Sequence, residues 1–344
     1  MSHLTDLIPR SQAEPPFFIG IDVGGTGIKF GLVDDRGQTV ARKRVPTEQE
    51  KGPEDACRRM NQACLALAAE SDIDFNAIAH IGLATPGTMD IAAGRLLQPH
   101  NLSAWWEFSI RDYLQNVMGK PVAFQNDANA AAMGEYWIGS GAAYQSMVLF
   151  TLGTGVGGGI IIDGRILNGQ HSHGSECGHT YIDAGASARI CGCGQPGHLE
   201  AYTSATAVVQ RTREAIDAGR VSSIETRLNA GEELTSLLVA EEAEAHDELA
   251  LEIVMDTAKY LSFGAVNVMH TIDPDAIVFG GAMDFGGSAT ELGRRFLAQI
   301  RREIDKRAFP YLIGKTQIDF ARLGAYAGYI GAAGVARGDY LAAR

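Results

Sequence analysis

Four side chains, His179, Cys191, Cys193 and His198, follow one another as His-x11-Cys-x-Cys-x4-His. Thiolates and imidazoles at that density suit a tetrahedral Zn²⁺, and four protein ligands would close the site, making it structural rather than catalytic. Cys177, His171 and His173 stand nearby as spare ligands. Two glycine turns offer a different chemistry. Asp22-Val23-Gly24-Gly25-Thr26-Gly27 joins glycines, whose backbone N–H groups can approach an anion, to a hydroxyl and to a carboxylate able to hold Mg²⁺ through water. Leu152-Gly153-Thr154-Gly155-Val156-Gly157-Gly158-Gly159 offers a second cradle. Neither turn carries the Gly-Lys-Ser/Thr of a Walker A loop. Gly153, Gly155 and Gly158 match a dinucleotide fingerprint, but β-rich Ile160-Ile161-Ile162 follows where that motif must open a helix, which disfavours NAD. Asp127 completes the set, in Gln125-Asn126-Asp127 between apolar Val122-Ala123-Phe124 and helix-favouring Ala128–Tyr136. A carboxylate there could take a hydroxyl proton, or could simply cap the helix.

Turns and apolar runs give the elements that must place these groups. Phe17–Asp22, Ile28–Val33 and Gln38–Val45 read as successive strands, separated by the first glycine turn and by Asp34-Asp35-Arg36-Gly37. Ser146–Leu152, Gly158–Ile162 and Arg165–Asn168 repeat that order around the second glycine turn and Asp163-Gly164. Two related halves would produce such a repeat. Ile78–Ala84 reads as a buried strand ending in Thr85-Pro86-Gly87, and Ala276–Phe279 as another running into Gly280-Gly281. Helical spacing marks Glu54–Ser71, Ser204–Ala218, Glu241–Met269, Ala289–Arg307 and a small-residue segment from Gly324 to about Ala336. Strands alternating with helices make this an α/β chain.

Composition narrows the classes. The 344 residues are 46% hydrophobic and 20% charged, which suits roughly two domains of ~150 residues. A formal net charge of −12 argues against a non-specific nucleic-acid partner. No window approaches the ~20 apolar residues of a membrane span. Met1–Pro16 carries Asp6 and Glu14 and no apolar core, so it reads as a flexible extension rather than a secretory leader. Five cysteines, three of them clustered, suit a reducing cytoplasm and a metal site better than a disulfide framework. Cys57 and Cys64 share one face of a helical pattern and read as core.

The ordered set Asp22–Gly27, Asn126-Asp127, Leu152–Gly159, Gly178-His179 and Cys191-Gly192-Cys193-Gly194-Gln195-Pro196-Gly197 resembles the ROK family of bacterial sugar kinases and repressors, its glucokinases above all. The resemblance covers about Phe18 to Ala336. It implies an actin-like ATPase (ribonuclease H-like) fold, two α/β domains around a cleft. The smaller would hold 17–125 and 325–344, and the larger 126–324 with the zinc motif. By the same resemblance Asp127 is the catalytic base, and Gly87, Asn101, Asn126, Asp127, Glu176, His179 and Glu200 contact the sugar. Asp22, Gly24, Gly25, Thr26, Gly27, Lys29, Gly153, Thr154, Gly155, Gly280 and Gly281 would surround ATP and Mg²⁺. The family binds zinc through one His and three Cys. Here His198 stands at the third cysteine position, which preserves four ligands.

The activity so implied is ATP-dependent phosphorylation of a free hexose, glucose first. A kinase for another hexose, or for an N-acetylhexosamine such as N-acetylmannosamine, is the alternative. A non-catalytic sugar-sensing regulator is the other, but ROK repressors carry a helix-turn-helix domain ahead of the first glycine motif, where this sequence has sixteen residues before Phe17. The resemblance also implies a cytoplasmic homo-oligomer, dimer or tetramer, with hexose and ATP as partners and neither nucleic acid nor membrane.

Overall fold

The computed structural model describes residues 4–344, apart from the side chains of His100 and Asn101. The strands are β1 (Phe17–Val23), β2 (Gly27–Val33), β3 (Thr39–Pro46), β4 (Ile78–Thr85), β5 (Met89–Asp90), β6 (Arg95–Leu96), β7 (Val122–Asn126), β8 (Ser146–Leu152), β9 (Val156–Ile162), β10 (Arg165–Ile166), β11 (Ala276–Gly280) and β12 (Gln317–Phe320). One sheet runs β3-β2-β1-β4-β7 and a second β10-β9-β8-β11-β12, with β5 and β6 as a separate ribbon. In the first sheet β1, β2 and β3 are antiparallel, while β4 and β7 run parallel to β1. In the second, β11 and β12 run parallel to β8. Each sheet is therefore three consecutive strands with two parallel strands added beside the first. The repeat read in the sequence is a repeat of architecture.

The helices are α1 (Pro53–Glu70), α2 (Ile110–Met118), α3 (Asp127–Trp137), α4 (Glu200–Thr203), α5 (Ala205–Asp217), α6 (Ile224–Asn229), α7 (Ser236–Glu244), α8 (Glu248–Ile272), α9 (Glu291–Asp305) and α10 (Ala327–Ala342). None is long and apolar enough to cross a membrane. The period-two pattern of β1 sorts its side chains between two cores. Ile19 and Ile21 join Met60 and Cys64 of α1 and Leu114 of α2. Phe18 faces Tyr329, Ile330 and Ala333 of α10. Cys57 and Cys64 are fully buried core residues, as their spacing implied.

The chain divides into a first compact unit of 4–145, 159–175 and 322–344 and a second of 146–158 and 176–321. That division corrects the sequence-based boundary at 125/126. α3 stays with the first sheet because small residues let it touch α10, a Cβ on Gly134 falling 2.6 Å from Ala327 O and one on Gly331 colliding with Ala130 O. The expected flexible extension is also corrected over its described part. Ile8 N–H donates to Thr39 O, Glu14 N–H to Asp34 Oδ2, and Asp35 N–H to Glu14 O, each at 2.9–3.0 Å. The expected helix over 241–269 is two helices. His246 adopts φ 68° and Asp247 caps α8 by accepting from Ala250 N–H at 2.8 Å, which ends one helix and starts the next.

Candidate active site and metal cluster

In the first unit, Asp22 leaves β1 at the edge of the first glycine turn. Gly24 N–H donates to Gly27 O at 3.0 Å and closes the turn, and Thr47 Oγ1 donates to Gly24 O at 2.6 Å and braces it from β3's end. Lys29 is the cross-strand partner of Asp22, with Nζ 3.4 Å from its carboxylate. Burial nonetheless holds the Asp22 carboxyl above its ordinary value, with Lys29 pulling the other way. A carboxylate in that state gains from a nearby cation, so Asp22 fits the hydrated Mg²⁺ expected of it.

Asp127 is the first residue of α3, but it is not the cap. Asn126 is, its Oδ1 accepting from Ala128 and Asn129 N–H groups at 2.9 and 3.2 Å. Asp127 Oδ1 also accepts from Ala128 N–H at 2.9 Å. The Asn126 cap fixes the Asp127 backbone at the helix start. Gln125 is buried behind the pair. It accepts from Asn126 N–H and Asn129 Nδ2 and donates to Asn168 at 3.0 Å. Sequence reasoning missed this bracing role, for which Gln125's place directly before Asn126 was the only signal. Gly87 has φ 88° and sits where a Cβ would meet Pro99 Cα at 2.5 Å, so only glycine fits that loop. The Asn101 side chain lies outside the described residues.

The second unit gathers the metal candidates. Backbone bridges Tyr181–His198 and Ile190–Pro196 fold the loop back on itself. His179, Cys191, Cys193 and His198 thereby place one ligand atom each within 4.8 Å of one another. Cys191 Sγ lies 3.7 Å from His179 Nδ1 and Cys193 Sγ 3.3 Å from His198 Nδ1. Tetrahedral Zn²⁺ with ordinary bond lengths separates sulfur from nitrogen by about 3.6 Å, so the four fit such an ion. Burial, then the adjoining His179 ring, lowers the His198 imidazole and keeps it in the neutral form that ligates. Cys177 stays outside the cluster, buried, with its thiol pushed up to about 12.

Glu200 ties the cluster to the second glycine turn. Cys191 Sγ lies 3.2 Å from its Oε1, and its Oε2 accepts from Val156 N–H at 2.9 Å. Gly153 N–H donates to Gly155 O at 3.0 Å, while Ala205 N–H and Thr206 Oγ1 hold Gly153 O and Thr154 O at 2.9 Å. Gly178 lies so close to Val156 O that a Cβ would collide, which seats the Glu176–His179 segment against the same turn. Gly281 is pressed onto Leu152 in the same way, and Met283 N–H donates to Leu152 O at 3.0 Å. Beyond it lies a cavity of about 430 Å³ lined by Leu237, Glu244, Met283, Phe285 and Leu292 among others.

The ROK family model matches residues 18–339. This chain belongs to the ROK family. It is 32% identical to the glucokinase of Halalkalibacterium halodurans over 92% of this chain and 93% of that one. It is 29% identical to the N-acetylmannosamine kinase of Salmonella paratyphi B over 94% and 99% of the two chains. The crystal structure of the ROK hexokinase from Thermus thermophilus superposes with a TM-score of 0.79 at 29% identity, covering 95% of this chain and 99% of that one. The actin-like ATPase fold of ROK sugar kinases is thus the fold of this chain, and its paired sheets carry the family's two glycine turns.

Two groupings follow for this ROK protein. The first unit holds Asp22, Gly24, Gly27, Lys29, Gly87, Asn126 and Asp127. The second holds Gly153, Thr154, Gly155, Glu176, His179, Glu200, Gly280, Gly281 and the metal ligands. The Glu200–Val156 bond, between residues 44 apart, was not legible in the sequence.

Proposed function

We propose that this ROK-family sugar kinase transfers the terminal phosphoryl group of ATP to a hydroxyl of free glucose, giving glucose 6-phosphate, with Asp127 accepting the hydroxyl proton. The observation that carries this reading is Asp127 itself. It stands at the end of β7 on a helix start that Asn126 caps, which fixes its backbone, and its own Oδ1 also accepts from Ala128 N–H. Phosphoryl transfer asks little covalent chemistry of a protein, mainly positioning and charge. Asp127 would aim the sugar oxygen and take its proton. Asn126, Glu176, His179 and Glu200, with Gly87 and Asn101 beside them, would hold the hydroxyls.

The glycine turns would receive the donor's phosphates on backbone N–H groups. Asp22 would hold a hydrated Mg²⁺, which when bound supplies charge neutralisation to the phosphates. Adenine would lie in the cavity beyond Gly281, against Met283, Phe285 and Leu237. A Zn²⁺ on His179, Cys191, Cys193 and His198 would fix the loop from 176 to 200 and, through Glu200, the second turn. The free cysteines suit a cytoplasmic location. The resemblance to an N-acetylmannosamine kinase keeps that substrate as the second reading.

Asp127→Asn tests the assignment. We expect turnover to fall roughly 10²–10⁴-fold while glucose affinity by titration calorimetry changes little, because the ground-state contacts remain. Near-normal turnover in this variant would remove Asp127 from the role of base.

A further inference from the structure

Beside the first glycine turn, the first unit holds another cavity of about 290 Å³, walled by Lys29, Arg42, Lys43, Arg44, Tyr326 and Tyr329 among others. Strand register explains why Lys29, Arg42 and Arg44 converge. Asp22, Lys29 and Arg44 are successive partners across β1, β2 and β3. Gly31 and Arg42 form the equivalent antiparallel pair two residues further along. Partners directly opposite each other share a face, so Lys29, Arg44 and Arg42 all lie on the face where Gly328, at the start of α10, abuts Asp22.

Two of the four cations already have carboxylate partners. Lys29 Nζ is 3.4 Å from Asp22 and Lys43 Nζ 2.6 Å from Glu70. Arg42 and Arg44 pair with no carboxylate among the described residues. The Arg42 guanidinium lies 4.4 Å from the centre of the Tyr326 ring, donates a long 3.5 Å bond to Thr5 O and also hydrogen-bonds the Tyr329 hydroxyl. That of Arg44 rests against Gly27, its Nε 2.6 Å from where a Cβ would stand. Charge on an edge strand such as β3 protects it from pairing with other chains, and that alone would explain scattered arginines. It does not explain a concavity, nor a ring and a turn that hold beside it two guanidinium groups with no carboxylate partner among the described residues, in a chain of net charge −12.

We propose that this cavity is an anion site for a phosphate-class dianion, held by Arg42 and Arg44 and distinct from the donor's phosphate contacts. The planar guanidinium fork matches phosphate oxygens in pairs, which a lysine cannot do. A volume near the lower end of ligand pockets admits a phosphate group bearing at most a small sugar. Inorganic phosphate and a phosphorylated sugar share this chemistry. Because Arg44 rests on Gly27, an occupant would bear on the first glycine turn. That consequence rests on the kinase reading, whereas binding itself does not.

The test is calorimetric titration of the full chain with inorganic phosphate while Mg²⁺ and a saturating non-hydrolysable ATP analogue fill the donor site. Binding is expected in the wild type, and the double variant Arg42→Gln, Arg44→Gln is expected to weaken it at least tenfold. A parallel titration with glucose 6-phosphate separates the sources. If the component lost in the double variant is tighter for the sugar phosphate, the site belongs to it. If that component is tighter for phosphate, the inorganic ion is the ligand. A chain inactive on every sugar leaves the titration readable. Should the double variant fail to fold, Arg44→Gln alone carries the test. No binding at millimolar phosphate, equal affinity in the variant, or loss of binding once the ATP analogue is present would each overturn the proposal.

Discussion

The two glycine turns hold equivalent places in sheets of the same strand order, yet different chemistry braces them. The first is a charged turn. Asp22, Lys29 and Arg44 cross three strands in one row beside it, and Thr47 pins it through a hydroxyl. The second has no ionisable residue between Leu152 and Gly159. Backbone bonds to the start of α5, the close approach of Gly281, and the Glu200 carboxylate on Val156 N–H hold it instead. The same strand order thus holds two cradles braced in different ways. The first turn is braced by charge, while the second is braced by backbone bonds and by Glu200 of the loop that carries the Cys/His cluster.

Removing charge from the first turn is the largest way to break this comparison. Asp22→Asn is expected to lower turnover on the order of 10²–10³-fold, the cost of losing one electrostatic contact to the transition state. The same variant should gain stability. A carboxyl raised by burial stabilises the fold fully below its unfolded-state value, near ~3.9, and loses that contribution as pH rises through the raised folded value. At neutral pH the wild type therefore carries a charge its surroundings disfavour. Asp22→Asn should melt above wild type at pH 7.5, with the gap closing as pH falls. A lower melting temperature at every pH would show that the Lys29 partnership outweighs burial.

Stripping the metal should separate the two turns. One equivalent of zinc per chain is expected by elemental analysis. Chelation, or His198→Ala, should raise KM for ATP and for sugar roughly 10-fold, in line with losses when ligand support is removed. Hydrogen exchange should quicken at 153–156 and stay unchanged at 22–27. Equal quickening at both turns would refute the link through Glu200.

The smallest effect lies within the second turn. A Cβ on Gly155 would run into Glu200 Oε2, whereas one on Gly153 meets nothing within 4 Å. Gly155→Ala should cost about 1–3 kcal/mol of stability as an overpacked contact and raise KM for ATP severalfold. Gly153→Ala should leave both within twofold of wild type. Equal tolerance at the two positions would mean that Glu200 moves freely.

Much of this was legible in the sequence because it was local. The glycine turns, the doubled strand order and the His-Cys-Cys-His spacing all depend on neighbours within a few residues. What the sequence hid depends on distance. α3 joins the first unit through Gly134 and Gly331, nearly two hundred residues apart, and no local pattern announces that contact. The break at Ala245-His246-Asp247 was hidden because apolar spacing continues across it. The Arg44 row follows only once the register of three strands is known.

The account rests most directly on a coupled assay of ADP release, with ATP and Mg²⁺, against a panel of unphosphorylated sugars including glucose and N-acetylmannosamine. It predicts strong turnover with glucose, well above every other sugar. Preference for N-acetylmannosamine would reassign the substrate and leave the roles of Asp22 and Asp127 in place. No turnover on any sugar, with glucose still bound, would contradict the kinase reading itself.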